Sequence, residues 1–483
     1  MHIIEILLIV VATSIIFFNK PLKSFFGKDY ILAFLGFLII VQLLWQGYRW
    51  QMIPAYALLV LAVISLLRNA QKKSIFLIRM VRAIGILLIL GLAILLPTVL
   101  PVFQFPRTSG SYSVGTTDIQ LNLERPETIT QDQDDTRNLM IKTWYPSNEV
   151  GNKMDSYVDH GGRHGFAKKY GLPPSMLNYL DHVKTTVYRD VAIANERFPV
   201  LVFSHGYNSK ANGYNALLSE LASHGYIIFA LNHTYESTGT TFADGSEVYF
   251  DQDYARRIDS GTFHIIAPSV DAINEGVPFS ERHTIVAKGL TDYYVGEMQE
   301  RWADDMVDVI NELEFWNRKG LFKGTLDISK LGVFGHSRGG GAAGLTMLYD
   351  DRVQVAANVD GVQWGDVVDT TFAKPFLLLS SDWPPEHPNF NEHAYINKSE
   401  SYFYDATLRQ SAHSNFMDIP FMIPMRAIST AGSIDPNVAI EASCGLLRSF
   451  FDKHLKNNEV DIKESISEFP LLELDIYHRG EAQ

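Results

Sequence analysis

The chain has 483 residues, more than a single hydrophobic core usually serves, so two structural regions are expected. Its formal net charge is −13, yet nine of its basic residues and only two of its acidic residues lie in residues 1–105. The acidic remainder of the chain disfavours binding to nucleic acid or to anionic lipid headgroups. The lone cysteine, Cys444, excludes an internal disulfide framework and is expected to be a buried structural thiol.

Four apolar stretches dominate residues 1–105 and predict a transmembrane region of about four helices. They cover residues 3–18, 30–45, 52–67 and 75–100, each roughly long enough for a hydrocarbon core of about 30 Å, and the third is the shortest. A cleaved signal peptide is the alternative for the first stretch. That stretch has no basic leader, carries Glu5 and shows no clear cleavage site before Asn19.

The positions of the basic residues predict how these helices are oriented. Lys20, Lys23 and Lys28 lie in the first connection and only Arg49 lies in the second. The third connection and its flanks hold Arg68, Lys72, Lys73, Arg79 and Arg82. Because positively charged connections stay inside the cell, we expect a multi-pass protein of the cell membrane with residues 106–483 on the extracytoplasmic side.

Beyond a polar stretch that ends at residues 131–135, the pattern of apolar residues changes. Short and nearly continuous apolar runs predict strands covered on both faces, at residues 139–145, 198–204, 226–231, 331–335, 355–359 and 376–380. Apolar residues spaced three or four apart predict helices between them, at residues 211–223, 295–316, 340–348 and 438–454. Strands that alternate with helices indicate an α/β domain with a mostly parallel, doubly wound sheet.

Two stretches, residues 146–195 and 235–290, interrupt this alternation and are expected to be irregular insertions over the active site. The first insertion contains Asp159-His160 and Arg163-His164. Their spacing is not recognised as that of a helical ligand pair, and no cysteine provides a further ligand, so the sequence predicts no metal site.

The most informative motif is Gly335-His336-Ser337-Arg338-Gly339, which follows an apolar run and precedes a helix-forming stretch. Gly-x-Ser-x-Gly in this context is the nucleophile elbow of the α/β-hydrolase fold. The serine occupies a strained turn between strand and helix, so the residues two positions away on either side must lack Cβ. The sequence therefore predicts a serine esterase with Ser337 as its nucleophile.

The partners of Ser337 follow from the fold. His413 comes late in the chain, after a strand-like run, and is the expected general base. The carboxylate that orients this imidazole is Asp360 or Asp382, each after a predicted strand, and the pattern alone does not separate them. The oxyanion donors expected in this fold are the backbone N–H groups of Arg338 and Tyr207.

Six segments between about residues 195 and 456 resemble the platelet-activating factor acetylhydrolase family, plasma and intracellular type II, in order and in spacing. They are Phe203-Ser204-His205-Gly206, Leu221-Ala222-Ser223-His224-Gly225, Gly335-His336-Ser337-Arg338-Gly339-Gly340, Val359-Asp360-Gly361, Ser411-Ala412-His413-Ser414-Asn415-Phe416 and Ile434-Asp435-Pro436-Asn437-Val438-Ala439-Ile440. The resemblance implies that Asp360 is the acid of the triad and that an oxyanion donor lies at Tyr207. It also implies hydrolysis of the sn-2 acetyl or short oxidised acyl group of phospholipids.

The chain departs from that family in three features. The apolar region at residues 1–105 is not part of the animal enzymes, Arg338 stands where an apolar or aromatic residue is expected, and both insertions differ. More distant relatives with the same core cleave unrelated carboxylic esters, including polyesters, so the resemblance predicts the chemistry more narrowly than the substrate.

The resulting prediction is a membrane-anchored serine carboxylic ester hydrolase that acts through an acyl-enzyme on short-chain acyl esters or phospholipid sn-2 acyl groups. It requires no cofactor, and its partners are a small ester or lipid substrate and the membrane. The alternatives are a peptidase on the same fold and a non-catalytic receptor that binds a ligand in the same pocket. The sequence pattern favours no particular oligomeric state.

Overall fold

The computed structural model describes residues 2–68, 76–384 and 387–478, and the chain divides into two compact units. The first unit comprises the residues up to Gln104 together with Pro173–Val183 and Phe421–Ile428. The second unit comprises Phe105–Leu172, Lys184–Pro420 and the residues from Ser429 onward.

The first unit is helical. Its helices are α1 (Ile3–Phe26), α2 (Lys28–Gln46), α3 (Ile53–Leu67, preceded by the 3₁₀ turn Trp50–Met52) and α4 (Phe76–Val99). Within the described residues, these four helices are long and apolar enough to cross a membrane, judged by length and composition. Small side chains allow α1 and α3 to pack closely, since Ala12, Ala55 and Ala62 are fully buried. The basic residues Lys72 and Lys73 of the predicted third connection lie outside the described residues.

A segment of the first predicted insertion also belongs to this helical unit. The indole Nε1 of Trp50 donates a hydrogen bond of 2.6 Å to the carbonyl oxygen of Met176, within Pro173–Val183.

The strands, numbered in chain order, belong to the second unit. They are β1 (Ser113–Pro126), β2 (Thr136–Ser147), β3 (Met154–Ser156), β4 (Lys184–Arg189), β5 (Phe198–Ser204), β6 (Ile227–Asn232), β7 (Gly239–Thr241), β8 (Glu247–Tyr249), β9 (Leu326–His336), β10 (Val355–Val359), β11 (Phe376–Ser381), β12 (Tyr402–Leu408) and β13 (Leu472–His478). Over the described residues, eleven strands form one sheet in the order β13-β12-β11-β10-β9-β5-β6-β2-β1-β4-β3, and β7 and β8 form a separate hairpin. The strands from β12 to β6 in this order run parallel to one another.

Further helices follow α4 in the described residues. They are α5 (His160–Lys169), α6 (Asn215–Ser223), α7 (Gln252–Asp259), α8 (Phe263–Asn274), α9 (Phe279–Asp292), α10 (Val295–Arg318), α11 (Arg338–Tyr349), α12 (Asn391–Ala394), α13 (Ile419–Met422), α14 (Arg426–Ser429), α15 (Pro436–His454) and α16 (Ile462–Ser465).

The side chains of β5 alternate between two covered faces, as a central parallel strand requires. Val200 and Val202 join a core cluster with Trp302 of α10, while the Phe203 ring lies 4.8 Å from that of Phe334 on the opposite face. The predicted doubly wound, mostly parallel α/β sheet is therefore confirmed, with β5 and β10 at the predicted bounds.

The irregular structure expected for residues 146–195 is wrong, because that stretch contains β3, α5 and β4. The same expectation is also wrong for residues 235–290. This stretch contains the β7–β8 hairpin and the helices α7, α8 and α9. Few apolar residues mark α7, and the buried positions of α8 and α9 include the small residues Ser269 and Gly289. Small residues in a contact face carry little hydropathy signal, and Pro268 inside α8 further masks the helix.

Candidate active site

The loops that leave four neighbouring parallel strands meet at one edge of the sheet, because the carboxyl ends of parallel strands lie on the same side. Residues 205–207 follow β5, Ser337 follows β9, Asp360 follows β10 and Asp382 follows β11. His413 is carried by the short 3₁₀ segment that follows β12.

Ser337 lies on a strained turn between β9 and α11. Its backbone has φ 58° and ψ −128°, a region that residues with a Cβ rarely adopt. A Cβ at Gly335 would collide with the carbonyl of Gly339, and a Cβ at Gly339 would collide with the carbonyls of Ser204 and His205. The glycines of the motif are therefore required by the close approach of backbones.

Asp360 holds the imidazole of His413. Its buried carboxylate accepts hydrogen bonds at Oδ1 from Ser381 N (2.7 Å), Ser381 Oγ (2.9 Å) and Trp383 Nε1 (2.9 Å). Its Oδ2 lies 2.6 Å from Nδ1 of His413, whose side chain is 39% exposed. Because a carboxylate accepts, Nδ1 carries the proton and Nε2 keeps the lone pair that a general base needs.

Asp382 has different partners. Its carboxylate accepts hydrogen bonds from the backbone N–H of Gln410 (2.8 Å) and from Arg409 Nη1 (2.9 Å), which together lower its pKa. The sequence pattern left open whether Asp360 or Asp382 is the partner of His413. The structure places the imidazole of His413 next to Asp360 and not next to Asp382.

The link between Ser337 and His413 is looser. Within the described part of the chain, the Ser337 hydroxyl makes no hydrogen bond to His413. Their loops are nevertheless adjacent, since the ring of His336, the residue before Ser337, lies 4.4 Å from that of His413.

His336 and Tyr214 tie the loops of the site together, and the sequence reasoning missed both. Tyr214 accepts a hydrogen bond from the N–H of Gly206 (3.0 Å), and its hydroxyl lies 2.8 Å from His336 Nδ1. The other ring nitrogen, Nε2, lies 3.1 Å from the backbone carbonyl of His413 and must donate to it, so Tyr214 donates to Nδ1. Burial, with the neighbouring His413, holds the pKa of His336 well below its usual value, which keeps this ring neutral.

The side chains of His336, Asp360 and His413 are also close enough together to hold a metal ion. Three of the four ring nitrogens already make hydrogen bonds, however. Those of His336 are bonded to Tyr214 and to the backbone carbonyl of His413, and Nδ1 of His413 is bonded to Asp360. A metal ligated by His336 would have to break a bond to a partner outside the group of three side chains, so the arrangement fits proton transfer better than metal binding.

The predicted oxyanion donors are the backbone N–H groups of Tyr207 and Arg338. Tyr207 lies in the loop after β5, and Arg338 is the first residue of α11. Among the described residues, neither N–H group donates a hydrogen bond to another part of the chain. The Arg338 guanidinium lies 3.9 Å from the centre of the Tyr207 ring, and its Nη1 lies 3.0 Å from Met298 Sδ. No carboxylate in the described ranges lies within ion-pair distance of Arg338.

A doubly wound parallel sheet, a strained serine in a Gly-x-Ser-x-Gly turn and a histidine bonded to a buried aspartate define the class of the protein as an α/β-hydrolase. The solved structure of a ferulic acid esterase from Streptomyces cinnamoneus has the same fold, with a TM-score of 0.59 and 22% identity over 77% of this chain and 99% of that one.

The chain belongs to the family described as platelet-activating factor acetylhydrolase, isoform II, whose model matches residues 98–469. It is 25% identical over 374 residues to the platelet-activating factor acetylhydrolase of Bos taurus, covering 73% of this chain and 77% of the relative. The enzyme of Canis lupus familiaris is 24% identical, with the same coverage of each chain. A probable 1-alkyl-2-acetylglycerophosphocholine esterase of Arthroderma benhamiae is 25% identical over 55% of this chain and 60% of the relative. The protein is therefore a serine ester hydrolase, as the sequence predicted.

Tyr214→Phe is expected to lower kcat for a short-chain nitrophenyl ester with little change in KM. The substitution leaves the N–H of Gly206 and Nδ1 of His336 without their partner in a buried position, at a cost of about 1–3 kcal/mol in the free energy of unfolding. The loops carrying Tyr207 and His413 then lose their common anchor. Steady-state kinetics and thermal denaturation of the purified full chain measure both effects.

Tyr170→Phe is the matched control, because the Tyr170 side chain is half exposed and its hydroxyl makes no hydrogen bond within the described residues. Wild-type kcat in Tyr214→Phe, or equal effects of the two substitutions, would contradict the anchoring role.

Proposed function

We propose that the protein is a membrane-anchored carboxylic ester hydrolase in which Ser337 is the nucleophile, His413 the general base and Asp360 the acid that orients it. The observation that carries this proposal is the 2.6 Å contact between His413 Nδ1 and the buried Asp360, beside a serine held in strained backbone geometry.

The mechanism follows from the protonation of His413. With Nδ1–H donated to Asp360, the free Nε2 takes the proton of Ser337 as its Oγ attacks the acyl carbonyl. The imidazolium then protonates the leaving alcohol, and an acyl-enzyme remains. Water, deprotonated by the same nitrogen, releases the acid and restores Ser337.

The missing hydrogen bond between Ser337 and His413 is compatible with this mechanism. Catalytic hydrogen bonds are often long in unliganded enzymes and shorten when substrate binds. The imidazole has room to rotate, because 39% of the His413 side chain is exposed.

The free N–H groups of Tyr207 and Arg338 support their assignment as the oxyanion hole. A tetrahedral intermediate places a negative charge on the former carbonyl oxygen, and two preorganised backbone donors stabilise that charge more than they stabilise the substrate. Both residues are partly exposed, so these unpaired N–H groups beside the proposed nucleophile can be reached by a substrate oxygen.

We further propose that the substrate is a phospholipid or a related ester that carries an anionic group. The names of the relatives, platelet-activating factor acetylhydrolase and 1-alkyl-2-acetylglycerophosphocholine esterase, support the sn-2 acyl group of a phospholipid. The guanidinium of Arg338, next to Ser337 and without a carboxylate partner in the described chain, is suited to contact a phosphate.

The proposed location is the cell membrane, with residues 106–483 on the extracytoplasmic side. It rests on the length and apolar composition of the four N-terminal helices and on the excess of Lys and Arg in the first and third connections.

Ser337→Ala and Asp360→Asn are each expected to lower kcat for a short-chain nitrophenyl ester by on the order of 10⁴. The first substitution removes the nucleophile, and the second leaves Nδ1 of His413 without the acceptor that fixes its tautomer. A fluorophosphonate probe is expected to label the wild-type chain covalently and to leave Ser337→Ala unlabelled.

Asp382→Asn serves as the control for the acid, and Ser329→Ala, at an exposed position, serves as the control for the nucleophile. Near-normal turnover in Asp360→Asn together with a collapse in Asp382→Asn would reassign the acid. Labelling that persists in Ser337→Ala would reject the nucleophile.

Arg338→Met is expected to reduce kcat/KM for a short-chain phospholipid by about tenfold, the loss of one charge-assisted contact, while a neutral nitrophenyl ester changes little. Arg338→Lys keeps the charge and should retain most of the phospholipid activity. The backbone donor is unchanged in both variants. An equal loss on both esters would show that Arg338 only supports the loop.

Protease added to intact cells is expected to digest the region after residue 105, because that region is proposed to face outward. Immunoblotting with an antibody against the C-terminal region measures the digestion, and permeabilised cells provide the control. Protection of this region in intact cells and digestion only after permeabilisation would reverse the proposed orientation.

A further inference from the structure

A second group of chemically capable side chains lies outside the catalytic residues. It consists of His160 and His164 of α5 and Glu247 of β8. The sequence alone predicted no metal site here, but α5 begins at His160, so the two histidines stand at positions i and i+4 of one helix. This spacing presents two imidazoles on the same helix face, as in helical zinc-binding motifs.

The three side chains converge on one point. One ligand atom from each residue lies within 4.8 Å of the ligand atoms of the other two. Nδ1 of His160 contacts Oε1 of Glu247, and Nδ1 of His164 lies 3.2 Å from Oε2 of the same carboxylate. The rings of the two histidines are themselves in contact, with centres 3.8 Å apart.

Contacts that do not involve these side chains fix the position of their backbones. The N–H of Gly161 donates to Oγ1 of Thr241 (2.7 Å), and the N–H of Thr241 donates to the carboxylate of Asp159 (3.1 Å). Thr241 pairs with Glu247 in the β7–β8 hairpin. The start of α5 is therefore held against the hairpin directly opposite Glu247.

The backbone approach is close enough to require glycine. A Cβ at Gly161 would collide with the backbone of Thr240, and a Cβ at Gly165 would collide with the backbone of Thr238. Such contacts preorganise the cluster, because α5 and the hairpin cannot move apart or slide without losing them.

We propose that His160, His164 and Glu247 bind a divalent transition metal ion of the zinc class. Two imidazoles and one carboxylate form a common three-residue zinc set, and a water molecule completes the four-coordinate site. An ion can enter without unfolding, since the side chains of His160, His164 and Glu247 are 56%, 27% and 18% exposed.

The donor set also predicts which ions bind. Imidazole favours Zn²⁺ and its transition-metal neighbours, whereas Mg²⁺ and Ca²⁺ favour sites built from oxygen atoms. Tyr249, whose hydroxyl contacts Oε2 of Glu247, supplies an outer hydrogen bond of the kind that orients a ligating carboxylate.

The expected consequence is structural. The segment between β6 and β7 is hydrogen-bonded to the loop that follows Tyr207, through Asn208 N to Glu236 O (3.0 Å) and Thr238 N to Ser209 O (2.7 Å). A metal that joins α5 to the hairpin would stabilise the elements next to this loop. It takes no part in the proposed ester chemistry.

The test uses the full chain, purified in detergent, treated with a chelator and dialysed against Zn²⁺. We expect one equivalent of Zn²⁺ per chain by elemental analysis and a higher midpoint of thermal denaturation with Zn²⁺ present. The double variant His160→Ala/His164→Ala and the variant Glu247→Gln are expected to lose both the bound equivalent and the thermal shift. Mg²⁺ should produce neither effect.

His264→Ala is the matched control, because His264 is exposed and its ring contacts only the carbonyl of Gly261 among the described residues. Absence of bound zinc in the wild-type chain, or equal zinc binding by the double variant and by His264→Ala, would overturn the proposal. These readouts do not depend on ester hydrolysis, so failure of the catalytic assignment would leave them unchanged.

Discussion

The close approach of three strand ends around Ser337 is the constraint on which the rest of the site depends. Gly339 lies against the carbonyls at the end of β5, and Gly361, just after β10, lies against the carbonyl of Ser337. The N–H of Ser337 donates to Val359 O (2.9 Å), which joins the turn to β10 as well. A residue held at φ 58° costs on the order of 1–3 kcal/mol, and the surrounding core must offset that cost. As a result the loop after β5, Ser337 and Asp360 occupy one closely packed arrangement, and the imidazole of His413 is the exposed member that can adjust.

A second serine, histidine and aspartate, one strand away, show that the hydrogen-bond pattern alone does not make an active site. Ser204 Oγ lies 2.8 Å from His233 Nε2, and His233 Nδ1 lies 2.7 Å from Asp305. All three side chains are buried, and the His233 ring is stacked on Trp302. Burial lowers the pKa of His233, and Ser204 lies in a regular strand without strain.

Asp305 also accepts a hydrogen bond from Arg137, so this buried serine, histidine and aspartate are part of a polar network that supports β5 and α10. What distinguishes Ser337 and His413 is access to solvent and a turn that presents the hydroxyl.

The parts of the structure predicted from the sequence are those whose physical cause is local. A continuous apolar run predicted the bounds of β5. Gly335 and Gly339, which have no Cβ, predicted the nucleophile elbow at Ser337. The choice between Asp360 and Asp382 needed a family resemblance, because it depends on which loop reaches His413 in three dimensions. Tyr214 and the role of His336 could not be predicted, since their hydrogen bonds join residues 122 and 77 positions apart. His160 and His164 have the i, i+4 spacing of a helical ligand pair, but this spacing has meaning only because residues 160–169 form a helix. The glycines that let α5 pack against β7 made this stretch look irregular in the sequence.

The proposed contact of Arg338 with a phosphate would reconcile an acidic hydrolase region with an anionic substrate group. The excess of carboxylates over most of the chain works against adsorption to a negatively charged surface, but in physiological salt that field decays within about 8 Å. A phosphate group would then have to be recognised by a cation in direct contact with it. The guanidinium of Arg338 packs against aromatic faces, with the ring centres of Tyr207 at 3.9 Å and Tyr294 at 5.9 Å, and in the described residues no carboxylate lies within ion-pair distance of it. The rings also cover one side of the guanidinium, and this lower exposure to water would strengthen the proposed contact with a phosphate. Because the backbone N–H groups of the same two residues, Tyr207 and Arg338, are the proposed oxyanion donors, a headgroup bound at this cation would be positioned relative to the ester that Ser337 attacks.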